Sequence, residues 1–470
     1  MKANVAIEKF EITELNVDVV VVGAGPAGLM AARTLTGAGL EVAVVEARDR
    51  VGGRTWSKTV DGAFLEVGGQ WISPNHKVLK ELLPELGLKE FPLYGEGDGV
   101  YLDEDGTRHV YSGENFPISE QSQQEMNRLI GVLDELSSEI DPDAPWTHPQ
   151  AHELDTISFQ SWLETKSDDA LARDLLTRLV PVAWLTKPAH DFSALQAMQF
   201  AASAGVFSAF LADNIVESRV VGGMQSVSEK LAKQLPDPVL LGAPAQALSW
   251  EDDSVVVEAD GTDGSKNYRI RARRAIVAVP PNLYDRISYS PPLPAIKQQL
   301  MQHLSMGLVI KAHVVYDRPF WRDAGLSGAG TGLGELVKDV LDNSNYQDPK
   351  GTLVGFIGDE AVEPLLRLPA EERREKILNS IANYLGPEAL EPEVYYESDW
   401  ASEEWTRGAY GTSFDIGGLS RFGVDLRTPI GPIHWASSDL AGPSFQHVDG
   451  ALRVGKSVAE EIIAELDATD

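Results

Sequence analysis

The chain has 470 residues, 43% of them hydrophobic and 24% charged, enough to bury a large core in two to three domains' worth of polypeptide. Its formal net charge of −31 argues against nucleic acid and anionic membrane surfaces as partners, and favours the approach of small cations. The absence of cysteine removes disulfides, thiolate metal ligands, cysteine nucleophiles and any cysteine-linked cofactor.

The opening text, MKANVAIEKFEITEL, lacks the apolar core of a signal peptide, and no run of about 18 or more apolar residues follows. A soluble, cytoplasmic protein is therefore expected. From Val17 the text VDVVVVGAGPAGLMAARTLTGAGLEVAVVEARDRVGGRT gives a buried-type strand, a glycine turn, an alanine-rich helix and a second buried strand, EVAVVE. That is one βαβ unit. Gly23, Gly25 and Gly28 form G-x-G-x-x-G: one glycine for the tight turn, one for backbone approach to a pyrophosphate, one for close helix–strand packing. The helix N-terminus then faces the phosphates. Glu46 ends the second strand, where a carboxylate can accept both ribose hydroxyls, so a bound dinucleotide is expected. After Glu46 come ARDRVGGRTWS and DGAFLEVGGQW; two glycine pairs and Arg54 so soon after the acid suggest a second pyrophosphate contact and an approach to a flavin ring. FAD is thus preferred to NAD.

Residues from about 115 to 215 read mainly as helices, among them SEQSQQEMNRLIGVLDELSSEI from Ser119 and SDDALARDLLTRLV. Strand patterns return in VVVEAD, RIRARRAIVAVP and LVIKAHVVY. The helix PAEERREKILNSIANYL then precedes a glycine-rich stretch and a last helix, GALRVGKSVAEEIIAEL. With no internal repeat and no long linker, two domains would be interleaved rather than strung in series. The stretch GELVKDVLDN, residues 334–343, is ambiguous. As a helix it carries an apolar stripe of Leu336, Val337, Val340 and Leu341, with Asp339 on the wet face. As a strand it sets the Asp339 carboxylate beside Val337 and Leu341. The local pattern favours the helix.

The segments VVVVGAGPAGL, EARDRVGGRT, LEVGGQW, RVVGGMQSV, AIVAVPPNL, LVIKAHVVYDRPFW, RGAY and HVDGALRVG together resemble the flavin-containing amine oxidase family, from Val17 to about Glu465. The resemblance implies an α/β fold. A Rossmann-type FAD-binding domain (1–90, 215–295 and 400–470) would interleave with an α+β substrate-binding domain of mixed sheet and helices (91–214 and 296–399). Carried over, Glu46 would hold the adenosine ribose and Arg54 the phosphate region, with Arg48, Gly53 and Gly69 also binding cofactor. Ala245 would offer its backbone to adenine, Gln70 and Trp71 would lie near the flavin, and Asp439 by the phosphate or ribityl chain. His447 and Val448 would open the last helix, its positive end at the flavin N1–C2=O edge.

The resemblance also distributes the chemistry. Lys311, which on its own reads as a strand-end lysine reaching solvent, would stand one water from flavin N5, at a desolvation cost that depresses its pKa. Tyr410 and His447 would wall the amine in front of the flavin, with a histidine where monoamine oxidases usually carry a second tyrosine. Ala409 stands where animal monoamine oxidases carry the cysteine that anchors FAD, so the cofactor should be non-covalent. No metal is implied. Within the family, SDDALARD, LTKPAHDFSALQA, VPPNLYDRISY and SFQHVDGA resemble bacterial putrescine oxidases, which carry a glutamate where Asp339 stands. That alignment turns residues 334–343 into a strand with Asp339 facing the cavity, gripping the far ammonium of a diamine such as putrescine, the shorter acid making room for cadaverine. Dioxygen would be the acceptor and peroxide, ammonia and an aminoaldehyde the products; family members also suggest a homodimer. The rivals are a broad oxidase of tyramine-like monoamines and a flavin-bound interaction protein without catalysis. An amino-acid oxidase would need an arginine to clamp the substrate carboxylate, and the sequence singles out none.

Overall fold

Four consecutive valines set the first layer. In this computed structural model, which describes residues 12–113, 116–179, 183–211, 215–261 and 267–468, they end the strand Ile12–Val22. Val19, Val20 and Val21 are fully buried, as expected of a strand covered on both faces. It lies parallel to Val42–Val45 on one side and to Asn267–Val277 on the other, and Ile433–Trp435 runs parallel beyond. Antiparallel strands Ser254–Asp260 and Ala245–Glu251, then Ser288–Ser290, complete a seven-stranded sheet. Strand pairing reaches back to Ile12, so five of the residues before Val17 extend this sheet; residues 1–11 lie outside the described part of the chain.

The helix Pro26–Gly37 begins with Gly25 at its cap and proline in its first turn, where the missing N–H costs nothing. It packs with the last helix, Val448–Asp467, over one face of the sheet. A Cβ on Gly455 would meet the Ala27 carbonyl oxygen at 2.1 Å, so the two helices touch backbone to backbone there.

A second seven-stranded sheet runs in the order Val394–Asp399, Val309–Tyr316, Gly351–Gly358, Asp339–Asp342, Leu326–Gly332, Asp98–Leu102, Arg108–Tyr111. One of its faces is closed by the helix Ala370–Leu385, whose Ile377, Ile381 and Tyr384 pack with Val337, Val340 and Leu353. Helices Glu120–Glu139, Ala170–Thr177 and Ala194–Ser203 form a further layer, each capped by a side chain accepting a backbone N–H: Ser119, Asp169 and Ser193. The fold is α/β, with mixed sheets and interleaved segments. Among the described residues no helix is long and apolar enough to cross a membrane.

The helical reading of residues 334–343 is overturned. Asp339–Asp342 is a strand, hydrogen-bonded to Gly351–Gly358 on one side and to Leu326–Gly332 on the other. Two waiting sheet edges outweigh local periodicity, since short apolar runs fit either structure.

Candidate active site

A single cavity of about 480 Å³ begins at the glycine turn of the first sheet and ends against the second. At its dinucleotide end, Gly23 has φ +108° and a Cβ there would meet the Ala278 carbonyl at 2.8 Å, so the turn admits only glycine. Gly28 does not reach the cavity wall; a Cβ on it would lie 2.0 Å from the Gly23 oxygen, which is the helix–strand packing expected of the third glycine. Gly25 and Gly53 face each other across the cavity floor, a Cβ on Gly53 falling 3.3 Å from the Gly25 Cα, which leaves a cradle free of side chains. The buried Glu46 follows directly after Val42–Val45, its carboxylate accepting from the Ala24 N–H (2.8 Å) and the Arg48 N–H (3.0 Å). Arg48 itself is drawn to Glu403 at 2.6 Å, and Ala245 lies on the same wall.

Arg54 lines the cavity, but its guanidinium is held from behind. It donates to the Tyr410 carbonyl (2.9 Å) and to the Ser438 hydroxyl (3.1 Å), and forms an ion pair with Asp439. Asp439 is completely buried and does not line the cavity. Its carboxylate is turned to the protein, where it anchors Arg54 and the Thr412 N–H; its neighbours Ser437 and Ser438 line the cavity. Burial alone would raise its pKa; the Arg54 pair, Ser437 and the Thr412 amide outweigh that and hold it below the ordinary range.

Lys311, Gly69, Gln70, Trp71, Tyr410, His447 and Val448 meet further along the same cavity. Lys311 does not reach solvent. Its Nζ donates to the carbonyls of Glu66 (2.9 Å) and Gly68 (3.1 Å) and lies 5.3 Å from the centre of the Trp71 ring. Burial pushes its pKa down to about 7, with Glu66 opposing and buried Arg219 adding to the shift. That change corresponds to roughly 5 kcal/mol against the charged form. The Tyr410 phenol is pushed upward by burial and by the nearby Asp339 charge, so it stays protonated. His447 is lowered by burial, and its Nδ1–H donates to the Phe445 carbonyl at 2.8 Å, leaving Nε2 as an acceptor. It caps the last helix, whose first turns, Val448 and Ala451, face the cavity.

These features suit a flavin dinucleotide. The glycine cradle admits a pyrophosphate, the Glu46 carboxylate sits where a ribose would lie, and a helix N-terminus faces the opposite end. Two polar atoms on the wall, Trp71 Nε1 and Gln446 Oε1, are buried with no hydrogen-bond partner among the described residues. A polar heterocycle would satisfy such groups.

Asp339 faces the cavity, as its strand placement requires. Directly paired residues put Lys311, Phe356, Asp339 and Thr331 in one row across four adjacent strands, so the four side chains share a face. The Thr331 hydroxyl donates to Asp339 Oδ1 at 2.7 Å. Arg178 completes the far end: its Nη2 donates to Asp339 Oδ2 at 2.8 Å. The sequence singles out no arginine for the pocket; the structure places Arg178 there. Arg178 ends the helix Ala170–Thr177, where it reads like any surface arginine. Phe356, Leu179, Trp184, Phe200, Phe210 and Ile215, which also line this part, read as ordinary core.

The cavity joins a glycine-lined end to a walled, largely apolar second half. A family model described as flavin containing amine oxidoreductase matches residues 26–463. The chain is 57% identical over 458 residues to the putrescine oxidase of Kocuria rosea, covering 96% of each. It is 36% identical over 450 residues to the probable flavin-containing monoamine oxidase A of Dictyostelium discoideum, covering 95% and 97%. A solved structure of putrescine oxidase, wild type bound to putrescine, superimposes with a TM-score of 0.94 at 55% identity, over 96% of this chain and 100% of that one. The chain belongs to the flavin-containing amine oxidoreductase family and is a flavin-dependent amine oxidase.

Proposed function

We propose that the protein oxidises primary amines, chiefly diamines of the putrescine and cadaverine type, with non-covalent FAD as cofactor and dioxygen as acceptor. Residues 1–90, 215–295 and 400–470 would carry the FAD, and 91–214 and 296–399 the substrate. Gly23, Gly25, Gly53, Glu46, Arg48 and Ala245 hold the dinucleotide part; Gly69, Gln70, Trp71 and Val448 hold the ring. The absence of cysteine, with Ala409 beside Tyr410, supports attachment without a thioether. The relatives named putrescine oxidase support the substrate class. A soluble cytoplasmic dimer is proposed with it.

The observation that carries this reading is the row Lys311–Phe356–Asp339, which joins the flavin end of the cavity to a carboxylate at its far end. When bound, a flavin would supply the two-electron oxidation, with dioxygen as the final acceptor and peroxide as its product. The chain's part is placement and charge. Tyr410 and His447 would flank the reacting neutral amine with two ring faces that guide its nitrogen. Phe356, edge-on to Tyr410 at 6.5 Å between ring centres, keeps the approach dry. The amine enters deprotonated, so no further base is needed. Asp339 accepts hydrogen bonds from the far ammonium, worth ~1.5–3 kcal/mol. Lys311, its Nζ fixed on the Glu66 and Gly68 carbonyls, would hold a water for the flavin.

Arg178 favours a second reading, a broad monoamine oxidase, because its guanidinium already offsets the Asp339 charge. Peroxide release from putrescine, cadaverine and tyramine separates the two: the proposal expects both diamines to exceed tyramine in kcat/KM, and a tyramine preference would overturn it.

A further inference from the structure

The far end of the cavity is an ion pair rather than a lone carboxylate, and its guanidinium is underused. Arg178 and Asp339 both line the cavity, with side chains 12% and 28% exposed. Asp339 spends one lone pair on Thr331 and one on Arg178, leaving others open to a donor. Arg178 makes one hydrogen bond among the described residues, and its Nε is buried with no partner. A guanidinium offers five N–H donors in a planar fork suited to a carboxylate. Leu179, Trp184 and Ile215, which line the same cavity, offer no acceptor side chain.

A diammonium substrate meets only half of this site. Its far ammonium pairs with Asp339 while facing the Arg178 charge, and a buried Arg donor stays unpaired. A zwitterionic head satisfies both: its ammonium bonds Asp339, its carboxylate bonds Arg178, and the net charge of the pocket does not change. We infer that Arg178 and Asp339 together form a subsite for an α-amino-acid head group, so that the enzyme also oxidises basic α-amino acids, such as lysine and ornithine, at their terminal amine. This rests on the proposed amine oxidase function and deepens it. Orientation follows from the row in the sheet: Asp339 is two strands from Lys311, roughly 10 Å, so a head group held there presents the side-chain nitrogen to the flavin end. The reaction balances as for any primary amine. The C–H bond beside the terminal nitrogen breaks, its electron pair leaving with the hydrogen for the flavin and then for dioxygen. Water adds to the imine, ammonia departs, and an amino-acid semialdehyde and peroxide remain.

Matched pairs test this, since cadaverine and putrescine are lysine and ornithine without the carboxylate. With the flavin-loaded enzyme, peroxide, ammonia and product identity are measured for L-lysine, L-ornithine, cadaverine and putrescine. Calorimetric titration with L-norleucine, which keeps the head and lacks the terminal amine, reports binding alone. The expected result is a semialdehyde from both amino acids. In Arg178→Gln, kcat/KM for lysine should fall by about tenfold to a hundredfold relative to cadaverine, with Arg178→Lys intermediate and norleucine binding lost in step. If lysine neither reacts nor competes with cadaverine, if the product is an α-keto acid, or if Arg178→Gln leaves the lysine-to-cadaverine ratio unchanged, the inference is overturned while diamine oxidation stands. If no amine of any kind is oxidised, both readings fall together.

Discussion

Lys311 and Asp339 are each paired directly with Phe356, one from either side, so an ammonium and a carboxylate stand two strands apart on one face of the same sheet. The separation, roughly 10 Å between Cα positions, is fixed by strand spacing rather than by loops. Under the proposed function, the distance from the flavin end to Asp339 is held by a sheet rather than by loops.

Replacing Asp339 by alanine should remove most of the preference for diamines over alkylamines of matched length. The expected loss in the ratio of kcat/KM values is about tenfold to a hundredfold, because a charge-assisted bond is deleted and Arg178 is left unopposed. The flavin spectrum should not change. An unaltered ratio, measured by peroxide release from cadaverine and pentylamine, would return Asp339 to a structural role.

Lys311 titrates near neutrality, which gives it a pH signature. Below about 7 it is an ammonium and above that an amine, since burial has moved it from 10.5. A positive charge at the flavin favours electron transfer to oxygen, so reoxidation of the reduced enzyme should slow as pH rises from about 6 to about 8. In Lys311→Met the rate should be lower by at least about tenfold and flat across that range. Stopped-flow mixing of reduced enzyme with oxygenated buffer reads both.

Glu46 is committed to the cofactor end, where its carboxylate already orders the Ala24 and Arg48 amides. Glu46→Ala should weaken flavin binding by about tenfold or more, through lost ribose bonds and a loosened turn. Fluorescence titration of the flavin-free protein would show it; equal affinity would place the ribose elsewhere.

Acid precipitation should release all of the flavin into the supernatant, because the chain has no cysteine and Ala409 occupies the position beside Tyr410. A fluorescent, flavin-bearing pellet would show a covalent link through another residue type.

Much of the cofactor half is legible in the sequence because its parts are contiguous. Gly23, Gly25, Gly28 and Glu46 lie within one βαβ unit whose geometry local text encodes. The substrate half is not local. Asp339 acquires its place only when strands from Gly351–Gly358 and Leu326–Gly332 close on it, and its own ten residues suggest a helix. Arg178 is brought to it from 161 residues away, by a helix end that resembles a solvated surface. The Arg54–Asp439 pair is equally non-local: 385 positions apart in sequence, the buried carboxylate holds the guanidinium that lines the cavity.

Anaerobic mixing of the flavin-loaded protein with putrescine tests the central claim most directly. The yellow absorbance should bleach at once, with one aminoaldehyde formed per flavin, and admitting oxygen should restore the colour with release of one peroxide. A flavin that stays bound and oxidised in the presence of putrescine, cadaverine and tyramine alike would contradict it.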